Sequence, residues 1–177
     1  MTPRLIKQDR SRSEVDFRTP PELFKALDAE FGPFNLDVAA SDENALCSGY
    51  FSIEGDALNR SWRIYPWHRP GTRVWCNPPY NHISPWVKKG IGELELGCES
   101  VTYLLPASTC TKWFKELWES EFCSHIIFVS GRLAFQGPHV HPDLKKASAP
   151  NPTVVIHLNK FNEGPPTIER RDRDAIR

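Results

Sequence analysis

The sequence predicts an α/β fold: a mostly parallel sheet with an antiparallel strand pair at its end. Apolar runs rich in β-branched and aromatic residues alternate with amphipathic stretches at helical spacing, the pattern of strands covered by helices. The order of those runs points to parallel strands. At 177 residues, 40% hydrophobic and 25% charged, the chain is long enough for one core and too short for two comfortable domains.

The elements follow in order. Residues 1–16 are polar and mixed in charge and read as a flexible arm. Pro20-Pro21-Glu22-Leu23-Phe24 opens a helix with Thr19 as N-cap; Leu23, Phe24, Leu27 and Phe31 fall at helical spacing, and Gly32-Pro33 ends it. Residues 34–38 form the first buried strand. Only about eighteen residues separate Asp37 from Asp56, which barely admits a further helix and strand, so a shortened unit is expected there. Residues 73–76 form a second strand that runs into Asn77-Pro78-Pro79-Tyr80, and the following helix carries Trp86, Val87, Ile91 and Leu94 on one face. Residues 100–105 are a third strand, 112–119 a helix and 126–129 a fourth strand. Residues 132–135 continue beyond a turn at Gly131, and 153–158 make the final strand. From 161 to 177, Gly164-Pro165-Pro166 and alternating charges read as a flexible tail. The expected domain is therefore single and spans 17–160.

Lys plus Arg equals Asp plus Glu at 22 each, so no global field advertises a nucleic-acid or membrane partner, and any such surface must be local. Cys47, Cys76, Cys98, Cys110 and Cys123 stand far apart, without the paired spacing that zinc requires. They read as residues of a reduced, cytoplasmic protein. No apolar stretch approaches the roughly 18 residues of a membrane span, and no export signal opens the chain. His139 and His141, with Lys145 and Lys146, lie in a polar stretch over 138–151. Two histidines without a third ligand do not make a metal site; a solvated loop or a small recognition loop fits the composition. Oligomeric state has no sequence signature here.

Asn77-Pro78-Pro79-Tyr80 carries the chemistry. It follows a buried strand directly, where an open α/β sheet presents its reactive groups. Such a tetrapeptide should arise by chance in a chain this size on the order of once in a thousand, although proline pairs also make plain rigid turns. The four residue types suit a planar amino nitrogen such as that of adenine, whose lone pair is delocalised into the ring. An Asn side-chain oxygen and the carbonyl of the next Pro can accept its two hydrogens and draw it toward tetrahedral geometry. The prolines keep that carbonyl aimed. The tyrosine offers a stacking face, worth roughly 1 to 3 kcal/mol per base. Cytosine and glutamine amide nitrogens suit the same arrangement; the lack of an added domain for gripping a protein counts against glutamine.

Phe17-Arg18-Thr19-Pro20, Leu36-Asp37-Val38-Ala39-Ala40, Asn44 with Tyr50-Phe51, Gly55-Asp56-Ala57-Leu58 with Trp62, Trp75 through Tyr80 with Trp86, Leu104-Leu105-Pro106-Ala107, and Gly131-Arg132-Leu133-Ala134-Phe135 occur in that order. In this set the chain resembles the small phage and prophage DNA N6-adenine methyltransferases, often called phage Dam. Members usually carry Trp where this chain has Phe17, and they share its lack of a glycine-rich loop. The resemblance implies a shortened Rossmann-like methyltransferase fold, S-adenosylmethionine along the carboxyl ends of the first strands, and DNA as partner. It implies methylation of adenine N6, with the target base flipped into the site. Phe17, Thr19 and Pro20 would approach the methionine end of the cofactor, Asp37 its ammonium or a nearby hydroxyl, and Asp56 its adenine; Ala39 belongs to the same cofactor set. Asn77, Pro78, Pro79 and Tyr80 would be catalytic, Arg132 would pair with a phosphate, and Phe135 would stack on the flipped base. Plain alternatives stand beside these roles: capping for Asp37, the helix start for Thr19, a turn for Asp56, an edge strand for Arg132 and the core for Phe135. A cytosine-N4 methyltransferase or an inactive DNA-binding relative is the alternative for the whole.

Overall fold

The computed structural model describes residues 18–63, 71–135, 147–148 and 151–176. Helix α1 (Pro21–Phe31) has proline at its first position, where the fixed φ fits and no N–H is missed. Leu23, Leu27 and Phe31, four residues apart, are its buried stripe. Asp28 closes the exit by accepting the Phe34 N–H at 2.6 Å. Strand β1 (Leu36–Asp37) pairs in parallel with β2 (Gly49–Tyr50) on one side and β3 (Arg73–Cys76) on the other. The Asn35 amide secures the β1–β3 entry, accepting from the Arg73 N–H at 3.0 Å and donating to the Gly71 carbonyl at 3.3 Å.

Helix α2 (Ile83–Leu96), strand β4 (Ser100–Pro106), helix α3 (Lys112–Trp118) and strand β5 (Cys123–Ser130) follow. Then come β6 (Ala134–Phe135), β7 (Ala147–Ser148), β8 (Thr153–Asn159) and β9 (Thr167–Asp172). Seven strands make one sheet in the order β2-β1-β3-β4-β8-β5-β9, and β6 and β7 form a separate antiparallel ribbon. In the large sheet only β8 runs against its neighbours. The period of two sends Val74 and Cys76 to one face and Trp75 to the other. The first face packs on α2 and α3, the second on α1. The result is the expected Rossmann-like, mostly parallel α/β architecture. Among the described residues no helix is long and apolar enough to cross a membrane.

Three details differ from expectation, and one segment meets it. The reversed strand lies inside the sheet, between β4 and β5, because residues 153–158 are buried throughout and need cover on both sides. The expected loose tail instead carries β9, paired in parallel with β5. Its charges suit an edge strand, where they discourage pairing with other chains. The segment between Asp37 and Asp56 is the shortened unit expected, with β2 and turns and no helix. Within the 138–151 stretch, the backbone of β7 pairs with β6.

Strand connectivity sets the location of the site. From β1 the chain moves outward to β2, then returns across β1 to β3. A crevice opens at such a switch point, outside the carboxyl ends of the two diverging strands. Here those ends are Asp37 and Asn77.

Candidate active site

Asp37 pairs in register with Trp75, and the Val38 N–H donates to the Trp75 carbonyl at 3.1 Å. The end of β1 is thereby fixed beside the strand that delivers Asn77. Asp37 is only 4% exposed. Its Oδ1 accepts from the Ala39 N–H at 3.3 Å and its Oδ2 from the Leu46 N–H at 3.2 Å. The latter contact requires the chain to double back, which Asn44 arranges: its Oδ1 accepts from the Ser41 N–H at 2.6 Å, while the Ala45 N–H returns to the Ser41 carbonyl at 3.0 Å. Burial raises the Asp37 acid to about 6, against the pull of the two N–H groups. Each oxygen accepts one backbone bond, and a carboxylate oxygen has capacity for two. A cationic donor would fill that capacity and offset the desolvation.

Asn77 leaves β3 half-buried, and its Nδ2 donates to Thr19 Oγ1 at 3.2 Å. Thr19 does not cap α1 as expected: the N-cap is Pro20, with no side-chain cap bond. Its buried hydroxyl serves the other strand end instead. Pro78 is buried and Pro79 exposed. The Pro79 carbonyl accepts from the His82 N–H at 3.0 Å, closing the turn into α2.

Tyr80 is half-buried and meets Phe135 edge-on, with ring centroids 6.3 Å apart and planes at 78°. Phe135 is 2% exposed. Expected on a flipped base, it is a core residue that reaches the site through Tyr80. Burial pushes the Tyr80 phenol up, and the Cys76 thiol well up; it takes the Cys47 thiol to about 12, with the charge of Asp37 adding to both cysteines. These three groups are protonated at neutral pH and offer no general base there.

Asp56 stands in the turn after β2 with a φ of 50°, a conformation that Asp tolerates better than most residues. Its two oxygens receive the Asn59 amide at 3.0 and 2.9 Å. That geometry is the one the turn reading expects. Arg132 is exposed beyond Gly131, whose φ of 86° makes the turn out of β5. The Arg132 carbonyl accepts from Arg173 Nη1 at 2.8 Å, and Arg170 Nη2 donates to Ser130 Oγ at 2.8 Å. Exposed arginines of the C-terminal segment thus gather beside Arg132, on the same rim of the sheet as Asn77. Phe17, and His139, His141, Lys145 and Lys146, lie outside the described residues.

The structure therefore joins Asn77 to Thr19 by a side-chain hydrogen bond and sets Asp37, whose Oδ1 receives the Ala39 N–H, on the strand beside β3, with Pro20 as the N-cap of α1. Sequence reasoning missed the Thr19–Asn77 pairing, the Leu46 amide on Asp37 and the β9 arginines. No local signal marks the first two, since each partner comes from another part of the chain.

The family profile described as DNA N-6-adenine-methyltransferase (Dam) matches residues 8–176. The DNA N-6-adenine-methyltransferase of Escherichia phage T1 is 34% identical over 132 residues, 66% of this chain and 52% of that protein. The protein of the same name from Haemophilus phage HP1 is 29% identical over 112 residues, 62% of this chain and 61% of its own length. The alignments thus take in less than two thirds of either relative. Among solved structures, the methyltransferase subunit of a type I restriction-modification system from Streptococcus thermophilus is similar at 16% identity and a TM-score of 0.45, over 88% of this chain and 47% of that one.

Proposed function

The chain belongs to the DNA N-6-adenine-methyltransferase (Dam) family, and on that footing we propose that it transfers a methyl group from S-adenosylmethionine to the N6 amino nitrogen of adenine in DNA. One observation carries the reading: Asn77-Pro78-Pro79-Tyr80 leaves β3 at the switch point, beside the buried carboxylate of Asp37 on β1. Asp37 fits the cofactor, because a desolvated carboxylate with acceptor capacity suits an ammonium or hydroxyl donor and offsets a nearby cation. Bound S-adenosylmethionine supplies an electrophilic methyl group on a cationic sulfonium. Pro20 adjoins Thr19 in the chain and the Ala39 N–H bonds Asp37, so both are assigned to the same cofactor set.

Asn77 Oδ1 and the Pro78 carbonyl accept the two amino hydrogens of the target base. This draws the nitrogen toward tetrahedral geometry and localises its lone pair, which is what an aromatic amine needs to become a nucleophile. Tyr80 supplies a stacking surface, held edge-on by Phe135. An amino group inside a duplex cannot reach Asn77, so the base is flipped out at a cost of a few kcal/mol. Arg132, with Arg170 and Arg173 beside it, meets the phosphate backbone.

Incubation of mixed-sequence duplex DNA with methyl-labelled S-adenosylmethionine, followed by nucleoside analysis, should place the label in N6-methyladenine. Label in N4-methylcytosine would move the target to another base, and unlabelled DNA would reduce the chain to a binding protein. Asn77→Ala should bind cofactor normally and lose most turnover, since it deletes one of two acceptors on the target nitrogen.

A further inference from the structure

We propose that Thr19 is a positioning residue for the reaction: its hydroxyl holds the Asn77 carboxamide in the plane from which Oδ1 meets the target amino group. The inference rests on the methyl-transfer reading above. The backbone of Asn77 is restricted by the proline that follows it, and β3 fixes it from the other side. The terminal torsion of an Asn side chain is by nature broad and roughly two-fold. A half-turn about that bond leaves the shape of the amide nearly unchanged but exchanges acceptor for donor. Nδ2 would then face the hydrogens of the target amino group, and the site would repel the group it has to activate.

Thr19 removes that freedom. Its Oγ1 accepts from Asn77 Nδ2 at 3.2 Å across 58 residues of sequence. The hydroxyl performs no capping for α1, whose N-cap is Pro20 and whose first position is Pro21. Two consecutive prolines after Thr19 fix the backbone that carries it. Thr19 is 7% exposed, so its hydroxyl is sheltered from water that would compete for the bond. A rigid backbone thus presents a buried hydroxyl to the carboxamide of Asn77.

Thr19→Val keeps the shape and removes the acceptor. We expect kcat to fall about tenfold, the range of one lost neutral hydrogen bond combined with slight misplacement of the reacting groups. KM for DNA should stay within about twofold of wild type, and the fall in kcat should persist at saturating S-adenosylmethionine. Thr19→Ser restores the hydroxyl and should restore kcat. In the Asn77→Ala background, Thr19→Val should have no further effect on kcat, because the amide it acts through is gone. Should Thr19→Val fail to fold, Thr19→Ala carries the same comparison. Wild-type kcat in the hydroxyl-free variant, or a loss confined to cofactor affinity, overturns the role of Thr19. An inactive wild-type protein overturns the methyl-transfer reading itself.

Discussion

A carboxylate as buried as Asp37 is unfavourable in its charged form unless something charged comes to meet it. Its acid is raised from the ordinary 3.8 to about 6 by burial. The folded state therefore holds the proton more tightly than the unfolded chain does. The stability this contributes is fully present below about pH 3.8 and is lost as the pH rises through about 6. A cationic ligand reverses the preference, since it binds the ionised form. Affinity for S-adenosylmethionine, followed by calorimetry, should be level above about pH 7 and weaken as the pH falls through 6. In Asp37→Ala it should be weaker throughout and flat with pH. Wild-type affinity that ignores pH across that window would return Asp37 to a purely structural role. At this scale the sequence was informative where function is contiguous. Asn77 to Tyr80 could be read in one line, and Asp37 announced itself at a strand end. Thr19 could not be linked to Asn77, because the pairing exists only once β1 and β3 are in register with α1 docked behind them. Phe135 had two readings on paper, and its burial against Tyr80 decides for the core.

Among the elements, α2 and β4 are locked by a contact that a helical glycine makes possible. Tyr103 donates its hydroxyl to the Trp86 carbonyl at 3.1 Å, and a Cβ added at Gly90 would lie 1.8 Å from that oxygen. Gly90→Ala should therefore destabilise the protein by about 2 to 4 kcal/mol, lowering Tm by roughly 5 to 15 °C for a chain of this length. Tyr103→Phe removes the offending oxygen, so the double variant should melt above Gly90→Ala alone. Additive losses would show that the glycine matters for some other reason. The hydrophobic stripe of α2 was legible, yet the reason for its glycine was not, since the partner sits on the next strand. β9 was illegible for a different reason. Its Glu169-Arg170-Arg171-Asp172 run looks like a solvated tail, and an edge strand with a charged face has the same composition.

At the scale of the whole molecule, α1 spans the distance between the site and the last strands. Its near end follows Thr19. At its far end Glu30 receives Arg171 of β9 at 2.5 and 2.7 Å, and Phe31 stacks on His157 of β8 with centroids 4.4 Å apart. His157 in turn bonds Thr102 of β4 at 2.7 Å, and burial takes its pKa down to about 3, which keeps the ring neutral. The parallel half of the sheet and its covering helices were legible from periodicity alone. The placement of β8 between β4 and β5 was not, because no local pattern reports which neighbours a buried strand will have.

That placement bears on how the protein is made. During synthesis β1 to β4 can pair with one another as they emerge, but among the described strands β5 pairs only with β8 and β9, both of which leave the ribosome after it. Until residue 159 is out, Ile126, Ile127, Phe128 and Val129 belong to a strand with two open edges, a hazard for association between nascent chains. A chain stopped at residue 150 should accordingly collect in the insoluble fraction and show no cooperative melt, whereas extension through β9 should restore both solubility and a single transition. A soluble, cooperatively melting 150-residue fragment would mean that β1 to β4 fold as a unit and tolerate β5 hanging free.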